Sequence, residues 1–291
     1  MSKQTADVSI IAANYNNGKF LANFINSISE STILPKELII IDDASTDNSL
    51  RILSDFSNIK YLKIIKFETN RGFCEALNCG VENATGKYIL RIDPDDIICE
   101  NRIGQQFKFL ESNSKIDVVG SNVSYFNSET KKEIFRSNFP VHHSEIKKAF
   151  LKGEHGVQHP STMIRTSVMK NFRYYQENVL AEDYELFAMM INQGYRFANI
   201  PAVLTKMRIH SKSVSNSIGF DTIKLTFKIR DRIFNTHSHR FKVWTYYNYI
   251  LNYRKFLFSN KKFIKPIYLI LAAIFYPSKL LRRIKLNFVS K

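Results

Sequence analysis

The chain has 291 residues, enough to bury a sizeable core, and its 44% hydrophobic content excludes an intrinsically disordered protein. The formal net charge of +16 is unevenly spread: residues 220–291 hold 16 Lys/Arg against 2 Asp/Glu, or +14, which leaves 26 against 24, or +2, for the first 219. A near-neutral body with a basic, aromatic tail argues against a dedicated nucleic-acid binder and for a globular body carrying an electrostatic docking segment.

Cys74, Cys79 and Cys99 are odd in number and lack metal-type spacing, so they read as reduced, buried thiols of a cytosolic protein. Residues 1–7 are short of a leader and polar, and Val8 opens a strand at once, so the protein is expected to stay in the cytoplasm.

In chain order, Val8-Ser9-Ile10-Ile11-Ala12-Ala13 reads as a compact strand and Asn14-Tyr15-Asn16-Asn17-Gly18 as a turn. Phe20, Leu21, Phe24, Ile25 and Ile28 then fall at helical spacing. Residues 38–41 form a second strand, Leu50, Leu53 and Phe56 a second helix, and residues 61–67 a third strand. Phe73, Ala76, Leu77, Gly80, Val81 and Ala84 mark the third helix, and residues 88–92 the fourth strand. Strand–helix alternation with short connections predicts a mainly parallel α/β sheet with right-handed crossovers. Further on come a helix (Ile103, Phe107, Leu110), a strand over 117–125, a polar loop with Lys131-Lys132 and a glycine-containing loop and short strand over 155–165. A helix with Leu186, Phe187, Met190 and Ile191, closed by Gly194, precedes a strand over 203–210 and a serine-rich link over 211–217.

Two strands run into carboxylates. Lys87-Tyr88-Ile89-Leu90-Arg91-Ile92 delivers Asp93-Pro94-Asp95-Asp96 into a turn stiffened by proline, and Leu38-Ile39-Ile40-Ile41 runs into Asp42-Asp43-Ala44-Ser45-Thr46-Asp47. Such a turn is either a solvated loop tip or a seat for a hard divalent cation, which takes one or two carboxylates and completes its shell with water and substrate phosphates. In a parallel sheet ligands sit beyond the carboxyl ends of strands, so both turns are expected to line one crevice. Asp183 stands at a helix start, where a carboxylate serves as an ordinary cap or, kept ionised and aimed outwards, as a general base. His210, at a strand end, reads either as a metal ligand or as a hydrogen-bonded surface residue.

Taken in order, these stretches resemble the inverting nucleotide-sugar glycosyltransferases of family two, with the GT-A fold. The resemblance covers residues 8–215 and rests on Val8 to Asn16, on Ile41-Asp42-Asp43-Ala44-Ser45-Thr46-Asp47, and on Asn70-Arg71-Gly72 running through Ala76-Leu77-Asn78-Cys79-Gly80 to Gly86-Lys87-Tyr88. Asp93-Pro94-Asp95-Asp96, Glu182-Asp183 and Arg208-Ile209-His210 with Ser213 and Ser215 complete it. The resemblance implies that Tyr15 and Asp43 hold the nucleotide base with Arg71 as neighbour, that Asp93 lies by the ribose or a metal-bound water, and that Asp95, in some members with the equivalent of His210, binds Mn2+ or Mg2+. It also implies that Asp183 is the catalytic base. The expected activity is inverting transfer from a UDP-hexose or UDP-N-acetylhexosamine to a glycan or lipid-linked acceptor in surface polysaccharide or lipopolysaccharide synthesis. One departure stands out: Ala12-Ala13-Asn14 replaces the family's frequent Pro-Thr or Pro-Ser.

A sugar-phosphate nucleotidyltransferase shares the general fold but needs a Gly-rich basic loop after the first strand, which Ala13 to Gly18 lacks; a non-catalytic membrane-surface binder would not need clustered carboxylates. The organisation expected is a body over 1–218 and a helical basic extension over 219–291. In the tail the apolar run 267–276 is too short to span a bilayer. Flanked by Lys261, Lys262, Lys265, Lys279, Arg282 and Arg283, it reads as interfacial helix on an anionic inner membrane face, or as a hairpin packed on the body.

Overall fold

A computed structural model describes residues 3–172, 181–210, 219–259 and 263–277. The serine-rich link with Ser213 and Ser215, the segment 173–177, and Lys261, Lys262, Lys279, Arg282 and Arg283 lie outside the described residues.

Alternation of apolar side chains builds a sheet covered on both faces. In β1 (Gln4–Asn14) and β2 (Ile33–Asp42), Ile11, Ala13, Ile39 and Ile41 enter one core while Val8, Ile10, Ala12, Leu38 and Ile40 enter the other. β3 (Leu62–Lys66) and β4 (Tyr88–Arg91) flank this pair, giving the parallel order β3-β2-β1-β4. The sheet then continues differently. β8 (Met163–Arg165) is antiparallel to β4 and to β6 (Val118–Asn127), which pairs in parallel with the long β9 (Phe197–Ile209). Two strands that lack a strong apolar alternation close the edges: β5 (Ile97–Ile98) on β9 and β7 (Glu133–Arg136) on β6.

One face carries α1 (Gly18–Ser29), α2 (Ser49–Asp55) and α4 (Arg102–Ser112), with Leu21, Phe24, Ile25, Ile28, Leu53, Ile103 and Leu110 buried. The other carries α3 (Phe73–Asn83), α5 (His143–Phe150), the short α6 (Thr166–Met169) and α7 (Glu182–Asn192). Past α7, Gly194 takes the left-handed conformation at φ 96° and its N–H reaches the Ile191 carbonyl, the expected helix stop.

Among the helices that follow, α8 (Phe220–Phe234) sets Ile229 into the same core as α7, and its Phe227 ring abuts Gly153. α9 (Arg240–Phe258) and α10 (Lys265–Phe275) pair through a small cluster of Val243, Tyr246, Tyr249 and Ala272. Phe258 also meets Phe135 of β7, edge to face at 5.9 Å. The apolar run therefore forms a helix with one buried side. Its opposite side is exposed: Ile267 53%, Ile270 60% and Ile274 67%.

The strand ends are tied together from beneath by Arg102. Its fully buried guanidinium donates to Gln106 Oε1, the Pro160, Arg91 and Thr162 carbonyls and Thr205 Oγ1 at 2.8–3.3 Å, joining α4, β4, β9 and the turn before β8. All five partners are neutral, and burial pushes its pKa down to about 9. Arg102→Leu strands several buried acceptors at a cost of ~1–3 kcal/mol each. A loss on the order of 3 kcal/mol or more is expected in urea unfolding, with a midpoint shift at unchanged slope.

Candidate active site

The carboxyl ends of β1 and β2 finish level, with Asn14 opposite Asp42, and beside them β4 ends with Arg91 opposite Ile11. Three loops therefore open on one crevice, as expected for strand ends in an α/β sheet. The first two loops are sewn together. Asn14 Nδ2 donates to Asp42 Oδ1 at 2.8 Å, the Asn16 N–H reaches Ser45 Oγ at 3.0 Å, and Asn16 Oδ1 accepts from the N–H groups of Thr46 and Asp47. Two residues without the freedom of glycine, Asn16 (φ 54°) and Ala44 (φ 58°), are held left-handed by this network.

Tyr15 stands 48% exposed at the mouth. Asp43 lies buried, and its oxygens accept from the backbone N–H groups of Arg71 (2.6 Å) and Gly72 (2.9 Å). Gly72, at φ 91°, makes that approach possible as the residue before α3. The Arg71 guanidinium lies 4.4 Å over the Phe67 ring. Asp43 thus presents the 70–72 loop to the crevice.

The third loop holds Asp93, Asp95 and Asp96, each with a carboxylate oxygen within 4.8 Å of the others. Arg91 grips Asp93 through both terminal nitrogens, at 2.6 and 2.7 Å. Asp95 Oδ2 lies 3.1 Å from His210 Nε2. Asp96 is buried; one oxygen accepts the Arg208 N–H at 2.8 Å and the other has no hydrogen-bond partner. The end of β9 is clasped to this turn, since Arg208 Nε also donates to the Asp95 carbonyl and its guanidinium lies 4.7 and 4.8 Å from the rings of Phe20 and Phe126. Burial and the neighbouring carboxylates Asp95 and Asp93 push Asp96 well above the usual carboxylate range; burial, opposed by Arg91, also raises Asp93.

Oxygen ligands from an acidic turn with an imidazole beside them suit a hard divalent ion such as Mn2+ or Mg2+. The buried Asp96 oxygen left without a partner is the local sign of a turn that carries more negative charge than the protein neutralises.

The amino end of α7 faces the turn. Its first residues are Glu182 and Asp183, and both Asp183 and Asp95 raise Asp93 by charge repulsion. Asp183 Oδ1 accepts the Tyr184 N–H at 2.7 Å, and Oδ2 lies 3.6 Å from His155 Nδ1, so the carboxylate is both a helix-start acceptor and open to the crevice. Burial, then the charge of Asp183, pushes Glu182 up to about 8. The structure therefore gathers Asp43, Arg71, Asp93, Asp95, His210 and Asp183 around one crevice with Tyr15 at its mouth. It adds four groups that sequence reasoning did not single out: Arg91, His155, Glu182 as a titrating group, and Arg208 as a clasp. Arg91 alone had a readable signal, since it stands two residues before Asp93 and so projects to the same side.

The residues 9–173 match the model of "Glycosyl transferase family 2". The chain is 28% identical over 219 residues to the amylovoran biosynthesis glycosyltransferase AmsE of Erwinia amylovora, covering 74% of this chain and 81% of that protein. It is 33% identical over 208 residues to an uncharacterized glycosyltransferase of Methanocaldococcus jannaschii, covering 70% and 71%. Among solved structures, S. aureus TarS 1–349 in complex with UDP-GlcNAc superposes with a TM-score of 0.63 at 21% identity, over 92% of this chain and 80% of that one. The mannosyltransferase PcManGT of Pyrobaculum calidifontis, in complex with GDP-Man and Mn2+, gives 0.54 at 14% identity, over 94% and 72%. The fold is that of a GT-A glycosyltransferase. The chain belongs to glycosyl transferase family 2.

The raised Glu182 has a stability consequence. Its folded pKa of about 8 lies above the unfolded value, so the folded state holds the extra proton and loses stability as pH rises through 8. Glu182→Gln removes that loss. The melting temperature of Glu182→Gln minus that of the wild type should grow from pH 5 to pH 9 in a thermal-shift series.

Proposed function

We propose that the protein is a metal-dependent inverting glycosyltransferase that moves a hexose or N-acetylhexosamine from a UDP-linked donor to a hydroxyl of a glycan or lipid-linked acceptor in surface polysaccharide synthesis. The observation that carries this reading is the meeting of two acidic elements across one crevice: the Asp93–Asp96 turn after β4 and the Glu182–Asp183 end of α7. The names of the relatives support the class of product, since one is an amylovoran biosynthesis enzyme and another a poly-beta-1,6-N-acetyl-D-glucosamine synthase of Staphylococcus epidermidis.

In this reading Tyr15 stacks on the nucleotide base. Asp43 uses its remaining lone pairs on the base edge while fixing the 70–72 loop, where Arg71 adds a positive charge near the nucleotide. Asp93, held by Arg91, meets the ribose or a metal-bound water. Asp95 and His210 hold the divalent cation, which when bound neutralises charge on the departing diphosphate. Asp183 accepts the proton of the acceptor hydroxyl as that oxygen attacks the anomeric carbon from the face opposite the leaving group, which inverts the configuration. His155 sits beside Asp183, its Nδ1 3.6 Å from Asp183 Oδ2.

Asp183→Asn should lower transfer by about 100-fold or more while leaving donor binding within about twofold, because only the proton acceptor is removed. Asp95→Ala should weaken Mn2+-dependent UDP binding in isothermal titration. Unchanged transfer by Asp183→Asn would remove that residue from the mechanism.

We further propose, with the body assigned to residues 1–218 and the extension to 219–291, that the enzyme works peripherally on the inner face of the cell membrane. Among the described residues no helix is long and apolar enough to cross a membrane. The exposed Ile267, Ile270 and Ile274 share one side of α10, and Trp244, stacked on the exposed Phe241, contacts Phe275. With a tail charge of +14, this is the composition of an interfacial surface. Replacing the three isoleucines by serine should abolish sedimentation with vesicles containing phosphatidylglycerol. Equal sedimentation of variant and wild type would assign that surface to something else.

A further inference from the structure

Three carboxylates within four residues are not equivalent here, because each has its own partner. Asp95 faces His210, Asp96 is pinned to the Arg208 backbone, and Asp93 is the one gripped by a guanidinium through both of its oxygens. That guanidinium is well placed to keep its hold. The Arg91 side chain is 3% exposed and lies 5.4 Å over the Phe73 ring; its N–H donates to the Thr162 carbonyl and its own carbonyl accepts from Arg102. A forked pair of this kind, with its guanidinium buried, is among the stronger ionic contacts a protein makes, and breaking it strands the buried charge of Arg91. A cation at Asp93 would have to break it.

We propose that Arg91 is a positioning residue that withholds Asp93 from the cation, so that the divalent ion is held by Asp95 with His210 and its other coordination positions stay open for the diphosphate. This rests on the metal assignment proposed above. The reason is charge. Without Arg91, Asp93 and Asp95 would offer two carboxylates to a bare ion, which binds it more tightly in the absence of nucleotide and leaves less net positive charge for the diphosphate. With Arg91 in place the turn is a weak site until a phosphate-bearing ligand completes it.

The test is Mn2+ binding alone, by electron paramagnetic resonance of free Mn2+, on the full chain. Arg91→Leu should tighten Mn2+ binding by about tenfold, because a second carboxylate becomes available. The gain should vanish in Arg91→Leu/Asp93→Asn, which also removes the unpaired charge and so tests the proposal in a fold less burdened than the single variant. Where Arg91→Leu does not fold, Arg91→Lys keeps the charge without the fork and should show a smaller tightening. Equal or weaker Mn2+ binding by the folded Arg91 variants overturns the clamp. Tightening that persists in Arg91→Leu/Asp95→Ala would instead place the ion away from Asp95, which sinks the metal assignment itself.

Discussion

The crevice depends on concentrating acidic side chains at the ends of parallel strands and holding them there against their mutual repulsion. Asp93, Asp95, Asp96, Glu182 and Asp183 act on one another, yet the groups that meet them come from separate elements. Arg91 rises from β4 itself, while Arg208 and His210 come from the far end of β9. Like charges at this spacing repel strongly in a low dielectric, so the turn holds its shape only if β9 is docked. The acidic turn is therefore a tertiary structure as much as a local one: a β4 turn without the β9 clasp would splay.

The clasp in turn needs the sheet's change of direction. Had β8 continued the parallel run, the chain would have left the sheet at the far edge. Its antiparallel entry next to β4 instead brings β6, and through β6 the parallel strand β9, alongside the acidic turn. Arg102 secures that junction by donating the N–H groups of both terminal nitrogens to neutral oxygens on β4, β9 and the turn before β8, and its Nε–H to Gln106 on its own helix. A buried arginine without a carboxylate partner is costly, and here the cost is offset by hydrogen bonds to the buried backbone carbonyls of Arg91, Pro160 and Thr162.

This explains which features were legible in the sequence. The first half, where strands and helices alternate and apolar residues follow periods of two and 3.6, could be read down to single elements; helix 73–84 matches α3 closely, and strand 38–41 is the buried end of the longer β2. β5, two residues long, and β7, half exposed, carry no such period because they sit on sheet edges and bury little. α5 was missed because only Ile146 and Phe150 are buried among its polar residues. In the site, acidic residues at strand ends and helix starts announce themselves by position. Which group each meets does not, since Asp96 and Arg208 are separated by 112 residues and meet through a backbone N–H that any residue type would supply.

The basic extension is more than a tether, because its first helix shares a core with the catalytic half. Ile229 packs with the buried face of α7, Arg232 pairs with Glu185 in the first turn of α7, and Phe227 closes over Gly153, two residues before His155. α7 is thus gripped along its apolar side by the body and at its first turn by α8, which leaves its opening residues, Glu182 and Asp183, projecting into the crevice. A helix start held so firmly keeps Glu182 buried beside Asp183, and burial first, then that neighbouring charge, raises its proton affinity. Any displacement of α9 and α10 reaches α7 through α8, so the placement of the extension and that of Asp183 are mechanically one problem.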